Sequence, residues 1–134
     1  MTDDAASSPW AEIVGPWAEI VGPCYTVASL ARTLGWTEDE AIEAGDHLRL
    51  LKLRTSDGVL LFPAFQLLDG KVVTGLTRVL VILEIGTADP WTWAQWLNTE
   101  LPDADPPRNI QYLYDGRLDE AIRDAKHDAC AWRS

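Results

Sequence analysis

The sequence predicts a mainly α-helical protein in which a helix-turn-helix with a small β-hairpin packs on a C-terminal module of three to four helices. Apolar residues recur at helical spacing from Thr26 onward, and an Asp-Gly pair between β-favouring runs predicts one hairpin. The 134 residues, of which 47% are apolar, have the usual size of one globular domain. We therefore expect one shared core for residues 25–72 and 73–134, with residues 1–24 as an N-terminal arm.

The arm contains a duplicated heptapeptide. Pro-Trp-Ala-Glu-Ile-Val-Gly occupies residues 9–15 and again residues 16–22. One continuous helix is excluded because Pro16 would interrupt it, and two copies are too few for a solenoid. A recent duplication of a short arm is the simpler interpretation. The alternative is a tethered arm whose Trp10 and Trp17 dock on a partner or on the domain's own groove.

Two short helices follow the arm. Apolar residues recur every three or four positions after Thr26, which fits an N-cap, and Gly35 fits the position after the helix end. The segment Thr37-Glu-Asp-Glu40 has the form of a capping box, so it predicts a second helix that extends to about Gly45. These two helices are the candidate helix-turn-helix.

The hairpin comes next. The runs 50–55 and 59–62 flank Ser56-Asp-Gly58, so they predict two strands that form a wing beside the helices. Arg49, Lys52 and Arg54 are candidate DNA-phosphate contacts. Alternating basic residues are also typical of the solvated side of a half-buried ribbon, and this alternative remains open.

The middle helix is predicted from about residue 74 to residue 85. Its residues are apolar nearly all round, which is typical of a helix buried on most sides. We expect it to pack between the helix-turn-helix and the C-terminal helices. The residues that predict this burial are Leu76, Val79, Leu80, Val81, Ile82, Leu83 and Ile85.

The C-terminal third is predicted to contain three helices. Asp89-Pro90 fits the N-cap and first turn of one helix, and Asp105-Pro106 repeats the same pair. Gly116 ends the second helix, and the third extends to about Asp128, with residues 130–134 beyond the pattern. The predicted apolar faces comprise Trp93, Trp96 and Leu97; Ile110, Leu113 and Tyr114; and Leu118, Ala121, Ile122 and Ala125.

Charge disfavours nucleic acid as a partner of the chain alone. The net charge is −10, and residues 1–46 contain nine acids against one base. Affinity for DNA comes mainly from Lys and Arg that neutralise phosphates, and a recognition helix presents such residues to the major groove. The predicted second helix instead offers five carboxylates, which repel a polyanion. They belong to Glu38, Asp39, Glu40, Glu43 and Asp46.

Two groups of motifs resemble the Xre/MbcA/ParS type of antitoxin. The first group comprises residues 25–36, the second helix, and the runs 50–54 and 61–66, which resemble the degenerate winged helix-turn-helix that opens many of these proteins. The second group resembles their toxin-binding domain. It comprises Asp-Pro-Trp to Trp-Leu at 89–97, Pro-x-x-Asn-Ile-x-x-Leu up to Leu113, and Asp-Gly-Arg-Leu-Asp-Glu-Ala at 115–121.

The chain departs from that antitoxin type at one turn. Family members often have Gly-Gly-Arg-x-Pro before the Leu-Leu pair, whereas this chain has Asp-Ala-Asp-Pro-Pro-Arg at 103–108. The glycine turn is therefore missing. The resemblance spans roughly residues 25–130, and its motifs are packing and turn motifs.

The resemblance implies a cognate protein toxin as the partner. Such antitoxins accompany RES-type toxins, which consume NAD or use it to ADP-ribosylate a host enzyme. Inhibition in that family is steric, with the C-terminal domain over the NAD pocket and a terminal segment near its entrance. Carried over to this chain, the toxin-binding residues are Trp91, Trp93, Arg117, Arg123, Trp132 and Arg133, and core packing remains the alternative for Trp93 and Trp96.

The aromatic content of the last third supports a binding role. Its helices carry more aromatic surface than short helices are expected to bury among themselves, and no catalytic constellation lies nearby. The sequence has no Gly-rich phosphate loop, no Cys-x-x-Cys and no His-Glu-x-x-His, so we expect no enzyme activity, catalytic residue, cofactor or metal. We expect His47 and His127 to lie on the surface.

Further expectations concern the cell compartment, the two cysteines, the oligomeric state and the alternative functions. The sequence shows no basic, apolar leader and no apolar run of about 20 residues, which predicts a cytoplasmic protein without membrane contact. Cys24 and Cys130 are expected to be reduced thiols. A homo-oligomer and a hetero-oligomer with the toxin are both compatible with the sequence. The alternative functions are a helix-turn-helix transcriptional regulator and an adaptor for a protein other than a toxin.

Overall fold

The computed structural model describes residues 10–11 and 20–133, and this part is mainly α-helical with a small antiparallel sheet, as predicted. Its helices are α1 (Val27–Leu34), α2 (Glu38–Asp46), α3 (Leu76–Gly86), α4 (Pro90–Asn98), α5 (Ile110–Tyr114) and α6 (Leu118–Arg133). Its strands are β1 (Trp10–Ala11), β2 (Cys24–Thr26), β3 (Leu53–Arg54), β4 (Leu60–Pro63), β5 (Leu67–Leu68) and β6 (Lys71–Val72), and a 3-10 turn spans Ala64–Gln66. The predictions for residues 1–9 and 12–19, Trp17 among them, lie outside the described residues.

The first two helices begin as their sequence predicts. The Thr26 hydroxyl accepts from the Ser29 backbone N–H at 3.1 Å, and the Thr37 hydroxyl accepts from the Glu40 N–H at 3.1 Å. The Glu40 carboxylate accepts in return from the Thr37 N–H at 2.7 Å, which completes a capping box. Gly35 ends α1 in the left-handed region at φ 73°, where a side chain would be strained.

The main sheet has the strand order β1-β2-β4-β3, and every pair in it is antiparallel. β3 and β4 form the hairpin predicted around Ser56-Asp-Gly58, while β2 precedes α1 and pairs with β4. β1 adds an edge strand to β2, so Trp10 and Ala11 of the first heptapeptide copy are part of the sheet. Val21 and Cys24 are buried, so the end of the predicted arm belongs to the core.

A buried glutamine joins the hairpin to the segment that follows it. The Gln66 side chain is fully buried, and its Oε1 accepts from the Leu51 N–H at 2.7 Å. Its Nε2 donates to the carbonyls of Leu51 and Pro63, each at 3.0 Å. The amide thereby satisfies backbone groups that would otherwise be buried without partners. Sequence reasoning did not identify Gln66.

Helices α3 and α6 form the most extensive helix contact of the described chain. They run parallel: a Cβ added at Gly75, before α3, would lie 2.7 Å from the Leu118 side chain, and one added at Gly86 would lie 2.7 Å from the Ala129 backbone. The face of α6 toward α3 carries the buried small residues Ala121, Ala125 and Ala129. Small residues on both sides therefore bring the two backbones close together.

The predicted burial of α3 is wrong for the outer face of the helix. Leu76, Val79, Leu80 and Leu83 are buried as expected. Val81 is 45% exposed and Ile85 is 58% exposed, so the helix is not covered all round. The periodic spacing of the four buried residues occupies one face, and no described element covers the opposite one.

Two helix boundaries in the last third also differ from the prediction. α5 begins at Ile110 after Asn109, so Asp105-Pro106 does not cap it and lies in the preceding loop. α6 continues past Asp128 to Arg133. Its buried alanines recur every fourth residue as far as Ala129, which extends the packed face beyond the predicted end.

The core consists of two apolar clusters. The larger one includes Leu51, Leu61, Leu80, Trp96 and Ala125, so it spans both halves of the chain. The smaller one lies beneath the first two helices; its members are Tyr25, Leu30, Ala41, Ala44, Leu50 and Phe62.

Gly86→Ala is expected to destabilise the protein by about 1–3 kcal/mol, since the added methyl overlaps the Ala129 backbone. Urea unfolding measures the loss, and Glu84→Ala at an exposed site of α3 should change stability by less than about 0.5 kcal/mol. Helix propensity alone predicts a gain of up to about 1 kcal/mol for Gly86→Ala. A gain would therefore contradict the close contact of α3 and α6.

Candidate protein-interaction surface

Two tryptophan side chains of α4 are buried inside the domain. Trp93 is 4% exposed, and its Nε1 donates to the Thr87 carbonyl at 2.9 Å. Trp96 is buried as well, and its Nε1 donates to the Asp128 carboxylate at 2.7 Å. Both side chains therefore pack in the core, which was the alternative interpretation for them. Because the Trp93 side chain is enclosed by its own domain, we remove Trp93 from the predicted toxin-binding residues.

Trp91 lies at the other side of α4, against the hairpin. Its side chain is half-buried, and its Nε1 donates to the Arg54 carbonyl at 3.1 Å. This bond ties the edge strand β3 to the C-terminal helices. Much of the aromatic surface that the sequence predicted therefore lies in contacts inside the domain.

The end of α6 presents Trp132 and Arg133 on different flanks. Trp132 is half-buried and packs against the larger core cluster, beside Gly86 of α3. Arg133 is exposed. Residues 130–133 of the tail predicted to lie beyond the helical pattern are thus the last turn of α6.

Arg117 is paired with Glu120, which lies in the first turn of α6. Its Nε and Nη2 donate to the two oxygens of the Glu120 carboxylate at 2.7 and 2.8 Å, and its guanidinium lies 5.0 Å from the centre of the Tyr112 ring. The hydrogen bonds from Arg117 lower the pKa of Glu120. A partner would have to compete with Glu120 for this guanidinium.

A row of side chains forms the outward face of α6: Arg123, Lys126, Cys130 and Arg133. All four are exposed, and their spacing of three or four residues places them on one side of the helix. Arg123 Nε lies 3.3 Å from the Asp124 carboxylate, but within residues 10–11 and 20–133 no carboxylate lies within 4 Å of the Lys126 or Arg133 cations. Exposed Asp119, four residues before Arg123, lies on the same side, so the face is locally basic from Arg123 to Arg133 on an acidic protein.

The predicted toxin-binding residues do not form one patch. Arg123 and Arg133 share the outward face of α6, whereas Trp91 lies against the hairpin and Trp93 is enclosed. Sequence reasoning missed the exposed pair Val81 and Ile85. Their i, i+4 spacing, offset from the buried leucine face of α3, was a signal that could have found them.

The three residues predicted to contact DNA phosphates differ in their exposure to solvent. Arg49 and Arg54 are exposed. Lys52 is half-buried, its stem lies over Gly45, and its ammonium donates to the Asp46 carboxylate. That bond lowers the pKa of Asp46.

The outer face of α2 is acidic, as the sequence predicted. Its five carboxylate side chains are all exposed, and no Lys or Arg lies within the helix. Phosphates would therefore meet a repulsive field at the outer face of α2.

The described residues contain few groups arranged for chemistry. No cluster of three or more His, Cys, Asp or Glu suited to a metal ion occurs in residues 10–11 and 20–133. Burial raises the pKa of the Cys24 thiol to about 12, which keeps it protonated near neutral pH. Among the helices of the described part, none has the length and apolarity needed to span a bilayer.

The sequence matches no protein-family model and no curated protein. Among solved structures, it is similar to the NMR structure of Rv2175c, with a TM-score of 0.67 and 21% identity over 89% of this chain and 86% of that chain. The two chains share a fold. At this level of identity the similarity is confined to the fold.

Arg117→Ala is expected to raise the pKa of Glu120 toward its ordinary value of 4.5, because the two hydrogen bonds that favour the carboxylate are lost. In the unmodified chain, this pair stabilises the fold above pH 4.5, and the stabilisation is lost as the pH falls through the lowered pKa of Glu120. NMR titration of the Glu120 carboxyl carbon measures the change, with Arg49→Ala as the control. An unchanged pKa in Arg117→Ala would contradict the assigned cause.

Proposed function

We propose that this chain is an antitoxin that binds and sterically neutralises a cognate RES-type, NAD-consuming toxin. The observation that carries this proposal is the basic outward face of α6, since it belongs to the segment that resembles the toxin-binding domain. Arg123 and Arg133, two of the residues carried over from that resemblance, lie on it. The function is binding, without chemistry of its own.

The charge of this face favours a protein surface over a nucleic acid. The whole chain carries −10 and is repelled from polyphosphate at long range. A few exposed cations beside apolar side chains are instead typical of the rim of a protein interface, where arginine often contributes strongly. We therefore expect the partner to present carboxylates to α6.

The arrangement of α6 also suits steric inhibition. Its inner face is fixed against α3 by the contacts of Ala121, Ala125 and Ala129, so its outer face is held rigidly. A rigid face loses little conformational entropy when it binds, which favours stable occlusion of a pocket.

Co-expression with the protein encoded by the neighbouring gene tests the proposal. We expect the unmodified chain to restore growth and to co-purify with that protein. Arg123→Glu combined with Arg133→Glu should weaken co-purification by about tenfold or more, since two cations are replaced by repulsive charges.

Arg32→Glu is the matched control, because Arg32 is an exposed cation on α1, far along the chain from α6. It should leave the complex intact. Circular dichroism of each variant separates loss of binding from loss of folding. The antitoxin function would be refuted if the unmodified, folded chain neither rescued growth nor bound the neighbouring protein.

A second candidate function is DNA binding as a helix-turn-helix transcriptional regulator. The order strand, helix, helix, hairpin and the pairing of β2 with β4 support a winged helix-turn-helix. Within the described chain, Arg49 and Arg54 beside this unit lie more than 4 Å from any carboxylate. The acidic α2 opposes this function, so contact would have to come from the hairpin.

A gel shift with DNA from the chain's own promoter distinguishes the two candidates. We expect no retardation at about 0.15 M salt, where long-range attraction by a few cations is largely screened. Retardation that is abolished by Arg49→Ala with Arg54→Ala, but retained in Arg123→Ala, would instead establish the regulator.

A further inference from the structure

A shallow groove lies between the outer sides of α3 and α6. We call it the α3–α6 groove; its volume is about 170 Å³, and it is lined by Ile82, Ile85, Lys126, Ala129, Cys130 and Arg133. Aliphatic side chains of α3 form one wall, and the α6 residues form the other.

The α3 wall is apolar and exposed to solvent. Ile85 and Val81 are the more exposed residues, one helical turn apart, and Ile82 is half-buried between them and α6. Scattered exposed aliphatic residues are ordinary on a protein surface. Here two of them form a continuous ridge beside a groove, as helix-in-groove binding requires.

The α6 wall is basic. Lys126 and Arg133 lie one on each side of Cys130 along the helix, and neither cation has a carboxylate within 4 Å in the described part of the chain. Elsewhere in the domain, cations such as Lys52 and Arg117 are paired with carboxylates of their own chain. The groove thus combines an apolar ridge with two cations that lack an internal counter-charge.

We propose that the α3–α6 groove binds an amphipathic helix of the partner protein, with apolar side chains against Val81 and Ile85 and carboxylates toward Lys126 and Arg133. The existence of this partner rests on the proposed function. A second copy of this chain is the less favourable occupant, because each copy carries −10 and the copies repel each other.

Cys130 provides a probe inside the groove. Its thiol is exposed, whereas Cys24 is fully buried with a raised pKa, so an alkylating reagent should modify Cys130 alone in the folded chain. In the complex purified after co-expression with the neighbouring protein, we expect alkylation of Cys130 by iodoacetamide to slow by about tenfold or more. Alkylation of Cys24 would show that the chain has unfolded, because its thiol is buried in the folded chain.

A peptide titration tests the stated chemistry without any toxin. The probes are two helical peptides of about 18 residues with leucines at i, i+4 spacing, flanked by glutamate in one and by lysine in the other. We expect the glutamate peptide to bind at least about tenfold more tightly, with NMR shifts concentrated at residues 78–86 and 126–133.

Two double variants separate the groove from general surface effects. Val81→Ser with Ile85→Ser should remove binding of the glutamate peptide, and Lys126→Glu with Arg133→Glu should reverse the preference between the peptides. Leu68→Ser with Lys71→Glu is the matched control, since it changes an exposed leucine and an exposed lysine on the β5–β6 hairpin. The control should bind as the unmodified chain does.

The outcomes distinguish this inference from the proposed function. A complex that forms while Cys130 stays as reactive as in the isolated chain overturns the groove and leaves the antitoxin function standing. If no complex forms, the antitoxin function fails, and equal or absent binding of the two peptides then overturns the groove as well. Faster alkylation after deletion of residues 2–9 would show that the chain's own arm covers the groove, and concentration-dependent protection would show a second copy; either result overturns the partner helix.

Discussion

The close contact between α3 and α6 is the constraint on which the rest of the structure depends. Glycine at 86 and alanine at 121, 125 and 129 let the two parallel helices approach until backbone atoms almost touch. This approach fixes α6 along its whole length and places α3 at the centre of the larger core. It also determines which side chains of α3 and α6 remain exposed to solvent. On the sides that neither helix nor core covers, Val81 and Ile85 form an aliphatic ridge on α3, and basic side chains form a row on α6.

Polar contacts then join the remaining elements to this pair of helices. The Trp96 indole donates to Asp128 of α6, and the Tyr114 hydroxyl donates to the Phe65 carbonyl at 2.6 Å, which connects α5 to the segment after the hairpin. Gln66 satisfies the backbone beneath that hairpin. Trp93, Trp96 and Tyr114 thus pack inside the domain and donate hydrogen bonds to its other segments. The exposed surface of α3 and α6 comes instead from aliphatic and basic residues, and the basic row of α6 contrasts with the acidic α2 on the same chain.

Local chemistry explains which parts of the fold could be predicted. The N-cap at Thr26, the capping box at Thr37, the Asp-Gly turn and the Asp89-Pro90 start depend on neighbouring residues, and the structure confirms each. The start of α5, the extension of α6 and the role of Gln66 depend on contacts between distant segments, which periodicity does not encode. The site shows the same division. Arg123 and Arg133 could be named from the resemblance, but Val81 and Ile85 looked like core because the whole α3 segment is apolar. Their offset from the leucine face was the signal in the sequence, and the position of α6 shows which side of α3 is covered.

Hydrogen exchange of the chain, alone and together with the protein encoded by its neighbouring gene, tests the central claim most directly. Binding to the surface of α3 and α6 predicts slower exchange of backbone amides in residues 76–86 and 118–133, with α2 and the β3–β4 hairpin unchanged. Slower exchange confined to α2 or to the hairpin would contradict the account, because the partner would then occupy the side of the molecule formed by α2 and β3–β4.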